Sequence, residues 1–180
     1  GEGASGIFGK KIDQTGTAEF KAFMAGSMVT KDGKPWTKPG DELVVYHGTD
    51  QKFTIFDTNA NPISYEWDRG NLFFTTDRVK AQGYAEDVGT GKPVETPRVI
   101  AAYVALKNPF VIDNSDNPTS DWDLSGYLYS RMAREGGHDG IIISTEAGKE
   151  RLVVAFRPEQ IKSAIGNRGT FDPGDPNIMH

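Results

Sequence analysis

Short apolar runs, broken by glycine, proline and asparagine, set the limits on what this chain can fold into. Leu43–His47, Gly70–Thr75, Arg98–Leu106, Phe110–Ile112, Ile141–Ile143, Glu150–Phe156 and Ile161–Ile165 read as strands. Asp32-Gly33, Asn59-Ala60-Asn61-Pro62, Asn108-Pro109 and Gly136-Gly137 punctuate them. Helical spacing is rarer. Phe20, Phe23 and Met24 stand at i, i+3 and i+4 within Thr17–Gly26. Thr76 and Asp77 can cap a helix running to Glu86, with Val79 and Tyr84 as its largest apolar side chains. Ser120 can cap another to Arg134, with Leu124, Tyr127, Leu128 and Met132 on one face. Strands and helices do not alternate regularly, which points to an α+β fold rather than a doubly wound sheet. Ile141–Ile143, apolar throughout, is expected to be buried on both faces.

Residues 1–16 are aperiodic and read as a flexible lead-in, residues 17–180 as a single domain. The Gly/Pro/Asp-rich tail from Gly166 is expected to lie over the surface. The chain opens Gly1-Glu2-Gly3 without an initiator Met, as in a processed chain or a domain cut from a longer protein, and shows no basic-then-apolar leader. No run approaches the roughly 18 apolar residues of a membrane span.

A net charge of -5 argues against broad nucleic-acid binding, which normally needs a basic footprint. Cysteine is absent, which removes disulfides, thiolate catalysis and Cys-ligated zinc. His47, His138 and His180 form no helical His-x-x-x-His pair, so no metal site is expected. His138 reads as structural, Trp36 and Trp122 as packing anchors, and Asp121 and Asp123 as partners of a helix dipole.

Val44-Val45-Tyr46-His47-Gly48-Thr49 carries the most chemistry. An apolar strand delivers two hydrogen-bonding side chains around a glycine that a ligand can approach closely. The same pattern suits an ordinary strand end with His47 satisfied by a neighbour. Together with Gly70-Asn71-Leu72-Phe73-Phe74-Thr75-Thr76-Asp77, Lys80-Ala81 and Tyr84, it resembles the NAD-binding core of the ADP-ribosyltransferase superfamily. The likeness is to the diphtheria-toxin and poly(ADP-ribose) polymerase branch, with its His–Tyr–Glu signature. Phe156-Arg157-Pro158-Glu159-Gln160-Ile161-Lys162-Ser163-Ala164, Gly166-Asn167 and Phe171-Asp172-Pro173 are similar to the domains of this kind in phage polyvalent proteins and bacterial effectors.

The resemblance implies a split β-sandwich with flanking helices and NAD as substrate, without a metal. It implies a mono-ADP-ribosyltransferase that modifies a macromolecular target and releases nicotinamide, in the manner of a toxin, effector or phage-delivered enzyme acting in a target-cell cytoplasm. The acidic chain favours a protein acceptor, with no membrane partner. An NAD glycohydrolase and a silent NAD- or partner-binding module are the other readings. The resemblance also implies site roles. His47 holds a ribose hydroxyl, Gly48 pairs with the nicotinamide carboxamide and Thr49 assists. Phe73 stands at the signature tyrosine's place, Phe74 lies beside it, and Tyr84 stacks on the nicotinamide. Glu150 is the candidate catalytic carboxylate and Glu146, in the adjoining turn, the alternative. Aligning Phe156 with the family's strand aromatic instead puts the glutamate position at Leu152, on the same strand face as Glu150. Lys80 and Arg69 read as exposed cations before phosphate ligands, and Tyr65 and Trp67 equally as loop plugs or adenine covers.

Overall fold

The computed structural model of the protein describes residues 13–58, 70–86, 94, 96–113, 122–145 and 149–180, with the backbone alone for 122–128. In chain order they form α1 (Ala18–Met24), β1 (Val45–Thr49), β2 (Leu72–Thr75), α2 (Arg78–Glu86), β3 (Arg98–Val104), β4 (Phe110–Asp113), α3 (Trp122–Glu135), β5 (Gly140–Thr145), β6 (Glu150–Ala155) and β7 (Ile161–Ser163). The strands make a seven-stranded sheet in the order β4-β5-β6-β2-β1-β3-β7. β4 and β5 run parallel and the other neighbours antiparallel. The class is α+β, as the irregular element order predicts.

Pairing across the middle of this sheet is thin. β1 meets β2 at Tyr46↔Thr75. By contrast β1 pairs with β3 from Val45↔Ala102 to Thr49↔Arg98, and β2 with β6 from Leu72↔Ala155 to Thr75↔Leu152. The sheet therefore divides into two wings, β4-β5-β6-β2 and β1-β3-β7. Strand alternation sorts their side chains. One face gathers Val45, Leu72, Phe74, Ala102, Val104, Ile142, Val153 and Ala155 in the main core. The opposite face of the first wing packs Phe73, Ile141, Ile143, Leu152 and Val154 against Tyr129 and Ala133 of α3. That of the second wing sets Tyr103 and Ala105 against Phe20, Phe23 and Met24 of α1.

Local signals explain the helix ends. Thr17 Oγ1 accepts from the Phe20 amide at 3.2 Å, a cap of the kind worth about 0.5–2 kcal/mol. Asp77 Oδ1 accepts from Val79 N at 2.9 Å and Lys80 N at 3.2 Å, capping α2. At the end of α3, Gly137 N donates to Arg134 O and His138 N to Ala133 O, with Gly137 at φ 75. This paired closure is the Schellman motif, which favours glycine at that position. The buried stripe of α3 differs from the expected one. Ser130 and Ala133 are buried while Met132 is 44% exposed. Leu124, Tyr127 and Leu128 lie outside the described side chains.

The C-terminal stretch corrects the expectation of a surface tail. Phe171 and Ile178 are buried, Ile178 N donates to Thr54 O, and Ser163 N donates to Ile178 O. Beneath it, fully buried Lys162 donates from Nζ to Asp175 O at 2.7 Å. Residues 13–16 are tied to the same stretch, Gln14 Nε2 donating to Asn167 O at 3.1 Å. Residues 1–12 and the central part of the loop after Phe56 lie outside the described residues.

Helix α2 buries its two alanines, Ala81 and Ala85, and leaves Val79 and Tyr84 exposed. The reason is Gly48. A Cβ there would stand 2.0 Å from Ala81 O and 2.8 Å from Ala85 N. The helix backbone lies directly on the strand backbone, so only residues without bulk fit between them. Gly48→Ala should therefore lower unfolding free energy in urea by at least about 1–3 kcal/mol with no ligand present. Gly83→Ala, in the same helix with nothing within 4 Å of its Cβ position, should raise it by about 0.5–1 kcal/mol. Equal effects from the two would contradict this packing.

Candidate active site

β6 opens with Glu150, whose carboxylate is nearly inaccessible (side chain 4% exposed). Burying a carboxylate demands hydrogen bonds and a countercharge, and both are present. Thr75 Oγ1, from the end of β2, donates to Glu150 Oε1 at 2.8 Å. Lys80 Nζ, from the first turn of α2, makes an ion pair with Glu150 Oε2, keeping 33% of its own side chain exposed. Thr75 is fixed in turn, its Oγ1 accepting from Asp77 N at 2.9 Å. Strand, turn and helix thus converge on one acid through a single short stretch of chain. Leu152, the other position considered, packs in the apolar cluster under α3.

His47 follows Tyr46, the residue that pairs with Thr75, and so shares the core face of Val45 and Phe74, opposite the face of Phe73 and Glu150. Its Nδ1 is 2.7 Å from Phe73 O. A carbonyl only accepts, so Nδ1 carries the proton and Nε2 of the neutral ring keeps a lone pair. Phe56 and Phe74 enclose the ring at centroid distances of 5.0 and 5.5 Å. Burial pushes the His47 pKa below its ordinary value, and the bond to Phe73 O works in the opposite direction.

The other predicted residues divide. Phe73 is half-buried on the same strand face as Thr75, and so on the side of Glu150. Tyr84 is 63% exposed on α2, one turn beyond Lys80 and on the same helical face. Phe74 is different: it is buried in the main core on the opposite face. Adjacent strand residues cannot both wall one cleft, so Phe74 lies with His47 on the core face. Gly48 offers its missing Cβ to α2 rather than to open space. Thr49 Oγ1 is engaged locally, accepting from Gln51 N at 3.1 Å. Glu146, Tyr65, Trp67 and Arg69 lie outside the described residues.

Sequence reasoning gave Thr75 no role and read Lys80 as an exposed cation. The signals were there: Thr75 is two residues from Phe73, hence on its face, and Lys80 is four from Tyr84. His138 and Trp36 are placed as read, with His138 Nδ1 near Asn108 O at 3.2 Å and Trp36 buried, donating to Glu42 Oε2 at 2.9 Å. Among the described residues no group of three or more His, Asp or Glu gathers as metal ligands would, and no helix is long and apolar enough to cross a membrane. A separate cleft of about 510 Å³ involves Lys107, Asp139, Arg157 and Gln160. There Asp139 accepts from the Lys107 and Asn108 amides, and Gln160 Oε1 from those of Phe156 and Arg157; these two side chains brace loops.

A family model described as ADP-ribosyltransferase in polyvalent proteins matches residues 37–171. The chain belongs to this family. Comparison with curated proteins gives no match. Every residue of the cluster around Glu150, and His47 with it, falls inside the matched span of the ADP-ribosyltransferase domain; α1 precedes it.

The depressed His47 pKa has a consequence for the stability of the domain. The unfolded chain takes up the proton near 6.5 and the folded chain only below that. The stabilisation is therefore complete above the unfolded value and is lost as pH falls through the folded one. Urea unfolding between about pH 5 and 7.5 should show stability rising with pH, and His47→Gln should flatten that rise. The carboxylates with lowered values, Asp13, Asp32 and Asp175, start from 3.8 and act at lower pH. A slope unchanged in His47→Gln would assign it to another group.

Proposed function

We propose that this domain transfers ADP-ribose from NAD to a macromolecular acceptor, a protein before a nucleic acid, and releases nicotinamide. The observation that carries the reading is the buried Glu150 carboxylate, fixed by Thr75 and Lys80 on the Phe73 face of the sheet. Family membership supports it.

The chemistry needs little proton traffic. The bond from the ribose to the nicotinamide nitrogen breaks, and its electron pair neutralises the cationic ring. The ribose carbon becomes oxocarbenium-like until a nucleophile of the acceptor adds to it and loses a proton. Glu150 holds the adjoining ribose hydroxyl and stabilises the developing charge. The Gly48 backbone pairs with the carboxamide, supported by Thr49, and Phe73 and Tyr84 flank the nicotinamide ring. The net charge of -5 disfavours a polyanionic acceptor. We place its action, as part of the same proposal, in a target-cell cytoplasm after delivery as a phage or secreted effector.

Incubation with labelled NAD, alone and with cell lysate, should give free nicotinamide and a labelled macromolecule. Release of nicotinamide with water as sole acceptor would make the protein a glycohydrolase, and binding without turnover a silent module. Glu150→Gln should lower nicotinamide release by about 10²–10³-fold, the scale for one preorganised electrostatic group. Its NAD affinity by calorimetry should stay near that of the parent, because the charge matters mainly once the ribose is cationic. Full activity in Glu150→Gln would remove the carboxylate from the mechanism.

Tyr84→Ala should weaken inhibition by free nicotinamide more than inhibition by an adenine nucleotide. Equal losses would argue against stacking on the nicotinamide. Phe73→Tyr should remain active, since the wall is kept and a hydroxyl gained.

A further inference from the structure

Thr145 ends β5 and pairs directly with Glu150. Directly opposed residues share a sheet face, so its side chain flanks the acid on the β5 side, as Thr75 does on the β2 side. Thr145 is 1% exposed, and its hydroxyl is the buried side-chain polar atom that has no hydrogen-bond partner among the described residues. Other buried polar side chains of the fold are engaged: Thr75 on Glu150, Ser130 on Asn71, Gln160 on Asp139 O, Lys162 on Asp175 O.

A stranded buried hydroxyl is destabilising, and an apolar side chain of the same shape removes that cost. β5 already carries Ile141, Ile142 and Ile143, so valine would suit position 145. The hydroxyl stands beside a carboxylate whose oxygens accept one bond each from Thr75 and Lys80 and retain further lone pairs.

We propose that Thr145 is a positioning residue that donates its hydroxyl hydrogen bond to Glu150 when NAD occupies the site, holding the carboxylate toward the ribose. This rests on the function proposed above. In the free protein Thr75 and Lys80 hold the acid. When a ribose hydroxyl and a developing cation approach, the carboxylate turns from Lys80, and Thr145 replaces the bond it gives up.

Three measurements on the parent, Thr145→Val and Thr145→Ser test this. Thermal melting without ligand should place Thr145→Val at or above the parent; a clear loss would show that the hydroxyl is already bonded and overturn the proposal. In nicotinamide release, Thr145→Val should lose about tenfold in kcat, the scale of one hydrogen bond to a charged group, with KM for NAD within about twofold, and Thr145→Ser should recover most of it. An unchanged kcat in Thr145→Val overturns the proposal. Carbon NMR of the labelled glutamate carboxyls gives a readout independent of turnover. The Glu150 signal, assigned by its loss in Glu150→Gln, should move on NAD addition in the parent and in Thr145→Ser and move markedly less in Thr145→Val. If NAD shifts the signal in this way but no protein turns NAD over, the transferase reading fails and the positioning role stands. If all three proteins show the same shift, or none shows any, the positioning role fails.

Discussion

Helix α2 rests on β1 so closely that the carbonyl of Ala81 occupies the space a side chain at Gly48 would need. Much of the site depends on that contact. A helix seated on strand backbone has little freedom to slide, because carbonyl and amide groups interlock with the strand rather than with deformable side chains. Its first turn then stands at a fixed height above β2, and Lys80 reaches the acid at the head of β6. Asp77 and Thr75 add a second constraint by locking the turn between β2 and α2. Glu150 can be buried because its two partners arrive from elements already fixed for other reasons.

The thin pairing between β1 and β2 is the complementary feature. Two strands that shared a full ladder would tie the wings together along their length. Here one register pair closes the sheet, and the next contact is a side chain: His47 Nδ1 takes the Phe73 carbonyl. A backbone acceptor that a ladder would have satisfied is satisfied by imidazole instead, as buried carbonyls require. The outer strand β7 is held by the C-terminal stretch, through Lys162 and the bond from Ser163 to Ile178. The β1 wing is thereby stiffened from its far side.

The sequence made the strands, the caps and the acid at the head of β6 legible, because each has a local signature: β-branched runs, Thr17 and Asp77 ahead of helices, Gly137 behind one. It left unread what depends on which elements meet. Gly48 announced close approach, but nothing local said whether a ligand or a helix would come close. Phe74 reads in sequence as a cleft residue because it neighbours Phe73, although strand alternation separates them. Phe171 and the Ile178-Met179 pair are scattered in a Gly/Pro/Asp-rich stretch, without the periodicity that marks a buried segment. Lys162 and Lys80 look alike in sequence, each a single lysine following a β-branched apolar residue. One is sealed beneath backbone carbonyls and the other pairs with an acid seventy residues away.

The pairing of Lys80 with Glu150 raises the question whether an acid already neutralised can stabilise a cation. Position and solvent decide it. At an effective dielectric of about 20, a unit charge about 4 Å from a carboxylate is stabilised by about 4 kcal/mol. An ammonium farther from the same charge than the carboxylate takes back only part of that, since the energy falls inversely with separation. Burial makes the balance more favourable, because Lys80 is one-third exposed and its field is screened by water while that of Glu150 is not. The lysine holds the acid in place at the head of β6. The pair is therefore unequal as seen from the sheet face, and in the proposed reaction a ribose turning cationic there would meet the carboxylate more than the ammonium.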